Sequence, residues 1–389
     1  MTSTSCEFLA RHLLERCIAG KPPAHLPHAL LEEPCARALF GILVEGLADR
    51  FEPALCDVYA RLFSQAIAGQ DPAALMARYE RVRRTRRVAS EPRRVLVLSR
   101  VTLGADVAVA SVLLAAAKQA FPNAEIVFAG PRKNFELFAT DGRLSHAALE
   151  YHRGSLQERL AVWEDLKALA ADPDCLVLDP DSRLTQLGLL PIGEEDRYHL
   201  FESRAYGGQS DLNLPALTAK WAQETLGVPN AVPYVSVGLP SGLSPAPYIS
   251  VSLGVGENEA KRLPDPFESN LLSLLSARLP LVIDRGFGGE EAARVERAVA
   301  QAGARATFWE GSFAGFAKII AGSTLYVGYD SAGQHVAAAC GVPLISIFAG
   351  FPATRMFHRW RPSGPHATVI RVDQADSSKI LAQVAYALG

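Results

Sequence analysis

The chain lacks the features that would assign it to a special class. Its six cysteines, Cys6, Cys17, Cys35, Cys56, Cys175 and Cys340, follow no metal-ligand spacing and no paired framework, and a chain of 389 residues can bury cores of its own without such staples. Reduced thiols are expected, most of them in the core, with Cys175 and Cys340 in apolar runs. There is no excess of one charge: 39 Lys and Arg against 41 Asp and Glu leave a net −2, which excludes a global attraction to nucleic acid. No uninterrupted apolar run reaches the roughly 18 residues a membrane span needs, and the N-terminus has no basic stretch followed by an apolar one. A cytoplasmic protein is therefore expected, with a peripheral contact at the inner face of the cytoplasmic membrane left open. Internal repeats and low-complexity tracts are also missing.

What is present is a globular composition, 49% hydrophobic and 21% charged, long enough for two or three domains. Up to about residue 88 the apolar residues recur at helical spacing (Leu9, Leu13, Leu14 and Cys17; Ala38, Leu39, Ile42, Leu43 and Leu47; Val58, Leu62, Phe63 and Ile67), with breaks at Pro22-Pro23 and Gly69-Gln70-Asp71-Pro72. This predicts a small helical domain. Its last segment, 78–94, holds eight arginines in 17 residues. It reads as a solvated helix face and linker, or as a surface for an anionic acceptor, lipid headgroups or a partner.

Residues 94–99 form the first near-continuous apolar run, as a parallel strand covered on both faces requires. Gly104-Ala105-Asp106, a helix over 107–120 and a strand over 125–129 follow, with further strands at 175–179 and 198–202. Asp179 and Asp181 make an Asp-x-Asp triplet, which alone is a weak metal signal. Pro229, Pro233, Pro240, Pro245 and Pro247, with Gly238 and Gly242, predict an extended linker. A second α/β series then opens with strands at 248–252 and 281–284 and ends in a helix over 377–388.

The rest is organised around 323–350. Residues 324–328 predict a buried strand, 329–334 a polar turn, 335–340 an Ala-rich helix stopped by Gly341 and Pro343, and 344–348 the next strand. Asp330 and Ser331 suit a helix N-cap, while Ala332 and Gly333 leave the first backbone N–H groups open to an anion such as a diphosphate at the carboxyl ends of strands. An ordinary capped turn without a ligand would carry the same pattern.

This stretch resembles the C-terminal signature of glycosyltransferase family 9, the ADP-heptose:lipopolysaccharide heptosyltransferases, in which an Asp-Thr-Gly-x-x-His turn leads into an Ala-rich helix, a Gly-x-Pro stop and a strand ending in Gly. Here it reads Asp330-Ser331-Ala332-Gly333-Gln334-His335, then Gly341-Val342-Pro343 and Phe348-Ala349-Gly350, with Ser331 in place of Thr and the glycine at 333 rather than 332. The segment from residue 94 is similar to the start of family enzymes, with Ala105 inserted in their Gly-Asp pair and the helix ending in Phe121-Pro122-Asn123-Ala124-Glu125-Ile126. Residues 253–264 resemble the family's Gly-rich exit loop, with Leu263 where Trp is common and no Thr or Ser just before Lys261.

The resemblance covers about residues 94–375. It implies the α/β GT-B architecture of two Rossmann-like lobes, here with an added N-terminal α-helical domain: 1–90 helical, 91–235 the acceptor-side lobe, 236–247 the Pro-rich linker, 248–375 the nucleotide-sugar lobe and 376–389 the terminal helix, which in such enzymes commonly crosses back to the first lobe. It further implies an inverting, metal-independent glycosyltransferase without a cofactor, moving a heptose or hexose from a nucleotide-diphosphate sugar to a hydroxyl of a glycan, lipid-linked or protein acceptor. In that scheme Asp106, brought from the other lobe, is the general base, Lys261 approaches the donor phosphates and Glu290 meets the ribose. The backbone of Ser331, Ala332, Gly333 and Gln334 holds the diphosphate, Asp330 faces sugar hydroxyls, and His335 orients the loop or reaches a phosphate. On position alone, Asp106 and Glu290 equally suit helix N-termini. A nucleotide-sugar epimerase or hydrolase on the same scaffold, and a non-catalytic nucleotide-sugar-binding scaffold protein, are the alternatives.

Overall fold

A computed structural model of the chain describes residues 3–238, 247–256, 258–286 and 288–389, so the predicted linker falls mostly outside the described residues. These form two compact units, each built on one parallel sheet.

The first unit comprises Met1–Thr102, Val112–Phe135 and Gly142–Ala231. Its strands are β1 (Arg94–Leu98), β2 (Glu125–Gly130), β3 (Leu144–Ala148), β4 (Cys175–Asp179) and β5 (Tyr198–Leu200), in the order β3-β2-β1-β4-β5. Central β1 pairs on both sides, Val95 opposite Ile126 and Leu176, which is why it reads as an unbroken apolar run. The helices of residues 3–82 share one apolar core with this sheet: Leu43, Leu62 and Phe63 pack in the same cluster as Leu96, Leu98, Val177 and Tyr198.

The arginine-rich segment is in part a seam, with Arg78 and Arg83 turned inward while Arg81, Arg84, Arg87 and Arg93 stay exposed. Arg78, 6% exposed, donates to the Gly188 carbonyl at 2.9 Å. Arg81 pairs with Glu195 at 2.7 Å, and Arg83 forks onto Glu202 through two hydrogen bonds of 2.9 Å. Asp49, from the helical region, meets Arg204 at 3.1 Å, and Arg204 meets Asp181 at 2.9 Å. Sequence showed the charges but not their partners, which lie more than 100 positions away. The expectation of six reduced thiols also fails, because the helix Ser3–Ile18 lies against Glu33–Cys35 and Cys6 is disulfide-bonded to Cys35. Cys17, Cys56 and Cys175 are buried free thiols and Cys340 is half-buried.

Among the described residues one helix, Leu103–Ala120, is long and apolar enough to cross a membrane, with 18 residues of mean hydropathy 1.4, contrary to the expectation that none would be. It is 67% buried within the fold, as a core helix is.

The second unit comprises Leu103–Ser111, Glu136–Asp141 and Val232–Gly389. Its sheet contains β6 (Ile249–Ser252), β7 (Leu281–Asp284), β8 (Ala306–Trp309), β9 (Leu325–Tyr329), β10 (Leu344–Phe348) and β11 (Ala367–Arg371), ordered β11-β10-β9-β6-β7-β8 and parallel throughout. Read from β6, this is the doubly wound order 3-2-1-4-5-6, whose topological switch lies between β6 and β9; ligands of such sheets bind at the carboxyl ends there. The terminal helix Ser377–Ala387, capped by Asp376, buries Ile380 and Val384 in the core of this same sheet, alongside the helix Phe267–Ser276.

Candidate functional site

The signature helix begins three residues earlier than the sequence predicts, at Ala332–Ala339. Ser331 is extended (φ −151°) and gives the first turn no side-chain cap, so its leading N–H groups are not claimed by Ser331. The loop before it is fixed from inside. Gln334 is fully buried: its amide donates to Asp330 Oδ1 at 2.5 Å, and its carbonyl oxygen accepts from Ser346 on β10 at 2.5 Å.

Asp330, 4% exposed, also takes an ion pair from Lys261, whose Nζ lies 2.7 Å from Oδ2 and donates to the Asp330 carbonyl at 3.1 Å. The two residues leave β6 and β9, so the pair spans the switch point. An ammonium has three N–H bonds and these contacts use two.

Residues around Lys261 are held on three sides. Asn258 caps the turn by accepting from Ala260 N at 3.1 Å. Gly350 has φ +67°, and a Cβ there would stand 2.4 Å from the Ala260 carbonyl, so only glycine lets the end of β10 approach this loop. Arg262 pairs with Asp265 at 2.5 Å and with buried Glu268 at 3.3 Å, and Glu268 also binds Arg294. Leu263 N donates to Tyr329 OH at 3.3 Å.

His335 is buried against the edge of Trp360, with ring centroids 5.8 Å apart. Burial pushes its pKa down to about 4; Asp330 opposes the shift and Lys261 adds to it. It is neutral at pH 7, so it meets a phosphate only as a neutral imidazole. The aromatic-basic cluster Arg355, His358, Arg359 and Trp360 lies on or just inside the helix Thr354–Trp360, whose last carbonyl accepts from Gln334 at 3.5 Å.

At the β7 exit two neighbouring acids are placed differently. Glu290 is exposed on the first turn of the helix Gly289–Ala302, whereas Glu291 is half-buried and turned inward. A Cβ on Gly254 would lie 2.7 Å from Glu291 Oε1, and one on Gly286 2.6 Å from its Cδ, so this carboxylate lies between the β6 and β7 exit loops. Asp284 at the end of β7 accepts from Gly286 N at 3.2 Å; burial raises its pKa, the Gly286 N–H opposes the rise and Glu291 adds to it. Sequence reasoning did not single out Glu291 or Asp284; the glycines at 254 and 286 carried the signal for Glu291.

Asp106 opens a π-helical turn, Asp106–Ala110, and is fully buried. The sequence assigned it to the other lobe, yet Leu103–Ser111 belongs to the second unit, where a Cβ on Gly104 would come within 3.2 Å of Ala332 Cα and 3.3 Å of the His335 ring. The Gly104-Ala105-Asp106 segment therefore abuts the first turn of the signature helix. The Asp-x-Asp pair has protein partners: Asp179 accepts from Thr185 and Tyr198, each at 2.5 Å, and Asp181 binds Arg204.

Residues 286–385 match the family model described as glycosyltransferase family 9 (heptosyltransferase). That stretch of about a quarter of the chain is similar to family 9 heptosyltransferases. The match includes Glu290, Glu291 and the whole 330–335 turn but stops short of Asp106 and Lys261. No curated protein matches the chain. Among solved structures, the heptosyltransferase WaaC of E. coli with ADP is similar at 16% identity and a TM-score of 0.57, over 76% of this chain and 99% of that one. The ADP-heptose lps heptosyltransferase II of E. coli is similar at 19% identity and 0.52, over 76% and 98%. A glycosyl transferase of family 9 from Veillonella parvula is similar at 15% identity and 0.55, over 76% and 91%. The two parallel-sheet units correspond in fold to the GT-B lobes of these neighbours.

Proposed function

We propose that this heptosyltransferase-like chain is an inverting, metal-independent glycosyltransferase whose second unit binds the donor. The observation that carries the reading is the Lys261–Asp330 pair at the switch point between β6 and β9, beside the open N-terminus of the signature helix. The donor diphosphate lies on the N–H groups of Ser331, Ala332, Gly333 and Gln334 and takes the third N–H of Lys261. Asp330 holds that lysine, its buried carboxylate shared between Lys261 and Gln334; His335 packs and orients the loop. The ribose falls to Glu291 in place of Glu290, because two adjacent hydroxyls suit a carboxylate lying between the strand exits.

Transfer then requires one proton acceptor. Asp106 takes the proton of the acceptor hydroxyl, whose oxygen attacks the anomeric carbon from the face opposite the diphosphate. The anomeric C–O bond breaks and the electron pair leaves with the diphosphate, stabilised by Lys261 and the fixed N–H dipoles. A placed base contributes about 10²–10⁴-fold in rate, and oriented donors about 10²–10³-fold each. The acceptor is a hydroxyl of a glycan, a lipid-linked glycan or a protein, and the location is cytoplasmic, with a peripheral membrane contact for a lipid-linked acceptor. ADP-linked heptose is the first donor to test, since neighbouring structures carry ADP or an ADP-heptose analogue.

The complete enclosure of Asp106 favours a second reading, in which it is a structural carboxylate at a helix start and another group accepts the proton. Asp106→Asn separates the two. As the base, its loss lowers kcat about 10²–10⁴-fold with donor affinity unchanged; a wild-type kcat in that variant assigns the structural role.

A further inference from the structure

The exit loop before Lys261 lacks a Thr or Ser, but two hydroxyls lie at the signature helix. Tyr326, on β9, is fully buried, and its hydroxyl is directed at the first helical turn: a Cβ on Gly333 would lie 2.2 Å from it, and one on Gly328 2.5 Å. Neither glycine has a positive φ, so both are glycine for space rather than for backbone freedom. The Tyr326 hydroxyl completes no hydrogen bond among the described residues, nor does the enclosed Ser331 Oγ. They sit at one helix start, Ser331 as its N-cap residue and the Tyr326 hydroxyl against Gly333 of its first turn; burial pushes the Tyr326 phenol up, and the Ser331 and Ser252 hydroxyls oppose the rise. A phenol so placed stays protonated and is a donor.

Buried hydroxyls left unpaired are costly, and native proteins keep few of them. Here one such group belongs to a fully buried ring, directed at a helix N-terminus whose N–H groups Ser331 does not cap. We propose that Tyr326 is a positioning residue for the donor phosphate: its O–H donates to Ser331 Oγ, which turns the Ser331 O–H outward to a phosphate oxygen. This inference rests on the proposed donor site. The relay gives Ser331 one lone pair engaged from below and one proton directed at the ligand, and each bond polarises the next. It accounts for an aromatic residue with a hydroxyl under the loop, where an aliphatic one would fill the sheet equally well.

The test uses the full-length protein and whichever of ADP, UDP, GDP or dTDP binds the wild type, measured by calorimetry, with the matching nucleoside as control. Tyr326→Phe removes only the hydroxyl. The expected result is affinity for the nucleoside diphosphate about tenfold weaker, nucleoside affinity unchanged, and a donor KM raised with kcat retained. Ser331→Ala has the same effect, and the double variant is no weaker than either single one, as two links of one relay require. Diphosphate affinity unchanged in a folded Tyr326→Phe protein, or additive losses in the double variant, overturns the relay while leaving the donor site standing. If the folded wild type binds none of the four nucleotides, the donor site itself falls and the relay with it.

Discussion

Lys261 Nζ and Asp330 Oδ2 stand 2.7 Å apart, joining the exits of the two strands between which the winding order of the second sheet switches. The lysine side chain is 18% exposed and the aspartate 5%, so one partner faces outward while the other is sealed beneath it. A ligand anion arriving at the switch point meets the ammonium, already aimed by a carboxylate that cannot itself move away from Gln334 and the loop.

Lys261→Met therefore has two consequences. It leaves Asp330 buried without its cation, costing about 1–3 kcal/mol of stability, which urea unfolding reads. It also removes the charge that meets the donor, weakening nucleoside diphosphate binding about tenfold or more. Adding Asp330→Asn restores the stability but not the binding; recovery of both together would separate Lys261 from ligand recognition.

Glu291→Gln and Glu290→Gln distinguish neighbouring acids. The first weakens binding of a ribonucleoside diphosphate about tenfold through loss of a charged acceptor, and the loss shrinks when the 2′-deoxy nucleotide is the ligand. The second leaves affinity unchanged, because Glu290 is exposed on the helix start. Equal losses in both variants, measured by calorimetry, would remove the distinction.

Gly333→Ala sets two opposed terms against each other. Alanine gains about 1 kcal/mol in helix propensity, but its Cβ would lie 2.2 Å from the hydroxyl and 2.6 Å from Cζ of the fully buried Tyr326. Overpacking costs about 1–3 kcal/mol, so the variant is destabilised. Gly41→Ala, with nothing within 4 Å of the new methyl, is neutral or stabilised.

Much of this site could be read from the residue string. The β9-helix-β10 unit follows from apolar runs, glycine and proline stops, and N-cap residues, all of which act locally, while Lys261 is picked out only by the resemblance of its loop. What sequence could not show are choices that depend on distant neighbours. Gly333 reads as a turn glycine, yet it lies in a helix and is small because a tyrosine hydroxyl from the preceding strand needs its space. Glu290 and Glu291 are adjacent in the chain, and only the β6 and β7 exits decide which turns inward. Arg78 and Arg83 look solvated until the Gly188 carbonyl and Glu202 are brought to them.

His335 supplies a pH dependence. Its pKa is about 4 in the folded protein against 6.5 when unfolded, so between those values the unfolded chain binds more protons. Its contribution is unaffected above pH 6.5 and becomes destabilising as pH falls toward 4, reaching about 2 kcal/mol by pH 5. His335→Gln removes this term: the variant's stability relative to wild type, from urea unfolding at pH 7 and pH 5, shifts in its favour by about that amount on acidification. No shift would mean that the imidazole is not held neutral.

The most direct test of the donor site is a thermal-shift and calorimetric comparison of ADP, UDP, GDP and dTDP against the wild-type protein. A ligand at 100 times its dissociation constant adds about 2.7 kcal/mol to the folded state. The account predicts that one nucleotide stabilises the protein by this order and that Lys261→Met, at the same ligand concentration, cuts the stabilisation to about half or less. Folded protein indifferent to all four would contradict a nucleotide-sugar site at the β6–β9 switch point.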